Sequence, residues 1–191
     1  MKITFEKIDD QNIQSALREV AKRVFDKASK IIALDENIEI NFIKATGNRS
    51  LVDLDGVSGC CYDADKVTIR IDTKLFNKND SYSVERTLAH ELFHASDIKK
   101  GVDIINGTMR EFLINEGSAD LFSKKITGKI PIWARALSKK EIDHYWKIIK
   151  PILNIQMNDE LYYKWFIDGD EKIPKWTGYS IGYWFVENKL K

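Results

Sequence analysis

Ile13, Leu17, Val20, Val24, Ala28 and Ile31 fall on one stripe at helical spacing, which predicts a helix from about Asn12 to Ile32. Ile38, Ile40 and Phe42 then alternate with polar residues, the pattern of a half-buried strand. Asn48 to Leu54 reads as either a second strand or a loop around Gly47. The short runs Gly59 to Tyr62 and Val67 to Ile71 flank Asp63-Ala64-Asp65-Lys66 and predict a hairpin.

The pattern then turns helical. Val84, Leu88, Leu92 and Ala95 give the next segment a buried face, with capping side chains in Asn79-Asp80-Ser81 and an acid, Glu85, in the first turn. Lys99-Lys100-Gly101 is its stop, with cations at the negative end and a glycine to turn the chain. Thr108-Met109-Arg110-Glu111 reads as a capping box opening a helix through Phe112, Leu113, Ala119, Leu121 and Phe122, which Gly128 ends after Lys124 and Lys125. Ser138-Lys139-Lys140-Glu141 is a second capping box, for a helix to about Lys150, before Pro151. A helix-like stretch through Leu161, Tyr162, Trp165 and Phe166 and a last helix from Gly178 to Leu190 complete the chain. The expected class is α+β, a small N-terminal mixed sheet followed by a mostly helical C-terminal half. One domain over 1–191 is expected, with the sheet and two helices in 1–128 and a helical subregion in 129–191.

The helix through Leu88 and Leu92 also carries His90-Glu91-Leu92-Phe93-His94. Residues four apart on a helix differ by about 40° of azimuth and roughly 6 Å of rise, so His90 and His94 point the same way and can grip one metal ion. Glu91, about 100° further round, lies beside that ion, placed to take a proton from a metal-bound water. Two of the chain's three histidines sit here; the plainer alternative is an ordinary amphipathic helix whose two histidines are satisfied by neighbours, whereas a closed structural metal site would have no use for Glu91. On the following helix Glu116 and Asp120 are four apart on one face. That spacing suits Glu116 as a third ligand, with Asp120 accepting a hydrogen bond from a ligand imidazole. Catalytic zinc takes three protein ligands and keeps an open position.

HExxH with a downstream glutamate on a second helix resembles the gluzincin, thermolysin-like zinc metallopeptidases, and Asn115-Glu116 with Asp120 is similar to their NExxSD-type segment. The resemblance implies His90, His94 and Glu116 as zinc ligands, Glu91 as catalytic base and Asp120 in support of the first histidine. The chain more closely resembles small predicted Zn-dependent proteases that share HExxH, an EGxAD segment and a C-terminal GYxxGY, here Gly178 to Tyr183. It covers roughly the last 110 residues well. A zincin-like fold, Zn2+ as cofactor and hydrolysis of a peptide or protein substrate are the implied expectations. In such enzymes an edge strand before the HExxH helix pairs with extended substrate; Gly59 to Tyr62 is the candidate edge, the alternative being an edge with no ligand role. The oxyanion donor is sought among His144 and the C-terminal tyrosines, with Tyr179 preferred as catalytic over Tyr183. Two rivals are an ImmA/IrrE-like regulatory metallopeptidase cleaving one cytosolic partner and a non-catalytic metal-stabilised binding module.

Composition changes this picture little. The 191 residues are 43% hydrophobic with five tryptophans, enough for a packed core, and those tryptophans all lie in the later half, most of them expected in the core. A net charge of +1 without basic clusters gives no electrostatic case for nucleic acid or membrane. No run approaches the length of a membrane-spanning helix. The charged first ten residues are unlike a signal peptide, and the adjacent Cys60 and Cys61 make poor disulfide partners, so a cytoplasmic location is expected.

Overall fold

The computed structural model describes residues 1–45, 49–76 and 80–189. The chain divides into two compact units, Met1–Val102 with Lys125–Gly128, and Asp103–Lys124 with Lys129–Lys191. The class is the expected one, a small mixed sheet followed by a mostly helical half. Among the described residues no helix is long and apolar enough to cross a membrane.

The first unit contains strands β1 (Lys2–Glu6), β2 (Glu39–Lys44), β3 (Val57–Asp63) and β4 (Lys66–Ile71) and helices α1 (Gln11–Ala28), α2 (Arg49–Asp53) and α3 (Tyr82–Lys99). The sheet order is β1-β2-β4-β3. β1, β2 and β4 run parallel, and β3 is antiparallel to β4 and forms one edge. The hairpin is as expected. β1 was not legible as a strand, although Ile3 and Phe5 alternate with polar neighbours; the charged residues around them mask so short a period.

Period-two patterning sets the sheet's two faces. Ile40, Phe42, Val67, Ile69 and Ile71 are fully buried, whereas Asn41 and Thr68 are half-buried and Arg70 is exposed. Two rows cross the buried face. One runs Ile3, Ile40, Val67, Cys61; the other runs Phe5, Phe42, Ile69 and ends at Gly59. Phe5 stacks on Phe42 at 5.6 Å, and the Arg18 guanidinium of α1 lies over Phe5 at 4.6 Å.

α1 stops at Ala28, short of the expected Ile32. Leu17, Val20, Ala21, Val24 and Ala28 carry its buried stripe, and Ile31 is 44% exposed. Beyond Ser29 the stripe has nothing left to cover, so turn conformations replace the helix. Leu51 to Asp53, read as strand or loop, lie in the short helix α2; Gly47 and Asn48 fall outside the described residues. α3 starts as expected, but the Ser81 hydroxyl donates to Glu85 at 2.6 Å instead of capping. Asp80 accepts from the Tyr82 N–H at 3.2 Å, and Asn79 is outside the described residues.

The second unit is helical. It holds α4 (Met109–Thr127, whose final residues belong to the first unit), a 3₁₀ turn Trp133–Arg135, α5 (Lys139–Ile149), a 3₁₀ turn Lys150–Ile152, α6 (Asp159–Tyr162), a π-helical turn Tyr163–Ile167 and α7 (Thr177–Lys189). Both capping boxes form: Glu111 accepts from the Thr108 N–H at 2.7 Å, and Glu141 from the Ser138 N–H at 2.7 Å. Gly101 and Gly128 take positive φ where α3 and α4 end. Met109, Leu113, Ile149, Leu153, Trp165, Phe166, Ile173 and Ile181 form the core. Of the tryptophans, Trp133 and Trp165 are buried; Trp146, Trp176 and Trp184 are only partly so.

Candidate metal centre

α3 is buried on almost every side from Ser83 to Ser96, so its polar residues sit out of bulk water. His90 and His94 are each 5% exposed, and their Nε2 atoms converge to 3.1 Å. Two ligands at Zn–N distances of about 2.0–2.1 Å in a tetrahedron lie about 3.3–3.4 Å apart, close to that spacing. Nitrogens this near either share one proton or offer both lone pairs to a cation. The pair therefore suits a divalent metal, while Glu116, the expected third donor, lies on α4 in the second unit.

Glu91 is 7% exposed and lies along β3. A Cβ built on Gly59 would stand 2.6 Å from both Cγ and Oε1 of Glu91, so the carboxylate rests on the bare main chain of the edge strand. Its charge reaches Cys61, the next residue of β3 on the same face. Burial first, and then the Glu91 charge, push that thiol up to about 12. One turn before His90, the buried Arg86 donates to the Leu54 carbonyl at 2.6 Å and to Asp55 at 2.9 Å. It thereby grips the left-handed turn, Asp55 at φ 55° and Gly56 at φ 77°, that leads into β3. Arg86 did not stand out in the sequence, and Gly59 stood out only as the start of the candidate edge strand. A glycine inside a strand was the available signal, since it costs strand stability and marks close approach.

The second unit carries the carboxylates. Asp120 is fully buried and accepts from Trp133 Nε1 at 2.6 Å. Trp133 is held in turn by α7, whose Ser180 hydroxyl donates to the Trp133 carbonyl at 3.0 Å. Tyr179 packs edge-on to Phe166 at 5.3 Å, lies 6.2 Å from the Trp133 ring, and its hydroxyl is 3.5 Å from that of Tyr162. Burial, then the Glu116 charge, raise its phenol well above the ordinary tyrosine value, so it stays a protonated donor. Tyr183 turns elsewhere: its hydroxyl donates to Glu187 at 2.8 Å and accepts from Lys124 at 2.7 Å. His144 is exposed, against the edge of Tyr145.

The glycines of the two motif segments belong to one helix crossing. A Cβ on Gly117 would overlap the Gly182 carbonyl, and one on Gly182 would meet the Leu113 carbonyl. Gly178 lies flat under the Phe166 ring, where a Cβ would approach to 2.8 Å. α4 and α7 thus touch backbone to backbone next to the carboxylates.

An α+β fold with a buried, convergent pair of imidazoles beside a carboxylate defines a candidate metalloprotein. The family profile is more specific: it matches residues 17–191, and the chain belongs to the family of predicted Zn-dependent proteases (DUF2268). No curated protein and no solved structure matches the chain.

Proposed function

We propose that the protein is a gluzincin-type zinc metallopeptidase that hydrolyses peptide bonds of a peptide or protein substrate in the cytoplasm. His90, His94 and Glu116 hold the metal. The observation that carries the reading is the 3.1 Å approach of the two Nε2 atoms, with Glu91 the next residue after His90, in a chain of a predicted Zn-dependent protease family. Bound zinc would polarise the scissile carbonyl and make water acidic enough to attack near neutral pH.

The protein's own groups do the rest. Glu91 takes the proton of the attacking water on its carboxylate and passes it to the departing amide nitrogen, as base and then acid. Its burial beside β3 keeps competing water from its oxygens. Asp120, steadied by Trp133, supports the first histidine and fixes which ring nitrogen carries the proton. Tyr179 donates to the oxygen that gains charge as the carbonyl is attacked. The edge strand β3 offers main-chain N–H and C=O groups to an extended peptide, which gives affinity with little demand on sequence.

The purified protein should hold about one zinc per chain, as three-ligand catalytic sites do. His90→Ala should lose it by elemental analysis while circular dichroism stays unchanged; stoichiometric zinc in that variant sinks the ligand assignment. With a substrate drawn from a peptide-library digest, Tyr179→Phe should lower kcat by around a hundredfold with little change in KM, because the hydroxyl acts in the transition state. Tyr183→Phe should leave kcat near wild type; the reverse pattern names the wrong tyrosine.

A further inference from the structure

On the buried face of the sheet, the row Phe5, Phe42, Ile69 is filled by large side chains and then stops at Gly59. A β-branched residue would be the stable choice at that strand position, and glycine is a poor one. The space is not empty. Glu91 of α3 occupies it, with Cγ and Oε1 each 2.6 Å and Cδ 2.9 Å from where a Gly59 Cβ would be. The three nearest atoms that a side chain at Gly59 would strike therefore all belong to one flexible side chain. β3 itself is anchored at both ends of this stretch. Arg86 holds the turn before it, and the pairs Gly59 with Ile69 and Cys61 with Val67 fix its register.

We propose that Gly59 is a positioning residue: the missing side chain in the sheet's apolar row is the seat that fixes the Glu91 carboxylate, and any side chain there moves the carboxylate while leaving the fold in place. The step from seat to catalysis rests on the proposed role of Glu91 as base. The seat itself does not.

Two measurements separate these parts. The first uses metal-free protein and thermal unfolding of wild type, Gly59→Ala, Glu91→Ala and the double variant. Gly59→Ala should lower Tm by a few degrees in the wild-type background, and leave it unchanged or raise it in the Glu91→Ala background, because the obstacle is gone and alanine suits a strand better than glycine. Equal Tm changes in the two backgrounds overturn the seat. Should Gly59→Ala fail to fold, the double variant decides: recovery of fold supports the seat, and failure of the double variant overturns it.

The second uses zinc-loaded protein and a validated peptide substrate. Gly59→Ala should keep wild-type zinc stoichiometry and KM and lose at least tenfold in kcat, since a displaced base loses its alignment. Wild-type kcat in that variant overturns the positioning role. Coupled Tm values in a protein whose wild type cleaves nothing would leave the seat standing and overturn the catalytic reading of Glu91, so the two failures are distinguishable.

Discussion

Glu91→Gln should retain about one zinc per chain and the wild-type Tm, yet lose on the order of a hundred- to ten-thousandfold in kcat/KM. The substitution keeps the shape that fills the Gly59 gap, so packing along β3 survives. It removes the one property the chemistry needs, an oxygen that can accept and return a proton. Glu91 is not among the proposed ligands, so metal content should not follow activity. The measurement pairs elemental analysis with hydrolysis of a substrate from a peptide-library digest. Cleavage at the wild-type rate by a zinc-loaded Glu91→Gln variant would remove Glu91 from the mechanism. Zinc lost together with activity would make it a ligand instead.

The second large effect concerns stability. Gly117→Ala adds one methyl group where α4 and α7 meet, and that methyl would overlap the Gly182 carbonyl. Alanine would gain up to about 1 kcal/mol in helix propensity at an open helical site. Here the obstacle is backbone on both sides, so no rotamer change relieves it and the helices must part. Overpacking of this kind costs about 3 kcal/mol, which lowers Tm by about 6–12 °C in a chain of this size. Gly182→Ala should act in the same direction, and the two together should cost less than the sum of the single effects, because one separation of the helices accommodates both. The check is thermal unfolding by circular dichroism; a Tm at or above wild type for Gly117→Ala would mean that the helices do not cross at this glycine. Because Glu116 precedes Gly117 and Asp120 lies on the same helix, the crossing also bears on the carboxylates that the proposed mechanism uses.

Reading the sequence succeeded where the determining interactions are local. His90 and His94 converge because four residues make just over one helical turn, whatever surrounds them. The two capping boxes, the glycine stops at Gly101 and Gly128, and the β3–β4 hairpin are likewise set by neighbours within a few residues. Reading failed at boundaries that tertiary packing decides. Nothing local ends α1 at Ala28; the helix stops where its stripe runs out of surface to cover. β1 is too short to show its own period, and it becomes a strand by pairing with β2 through Phe5 and Phe42.

The two C-terminal tyrosines show the same division at the scale of single residues. Both lie in one motif segment, where the sequence reading prefers Tyr179 over Tyr183 without any sight of their hydroxyl partners. Only the fold sends the Tyr183 hydroxyl to Lys124 and Glu187, and sets Tyr179 among Tyr162, Trp133 and the influence of Glu116.

By itself, then, the sequence determined the helical frame, the paired histidines with a carboxylate beside them, and hence the kind of chemistry available. Their spacing is a property of a single helix. The tertiary structure decided which groups hold those residues still: Gly59 under Glu91, Arg86 on the turn before β3, Trp133 on Asp120, and the crossing of Gly117 with Gly182. Each joins residues at least 13 positions apart in the chain, and each depends on a close approach or a buried hydrogen bond that no local pattern encodes.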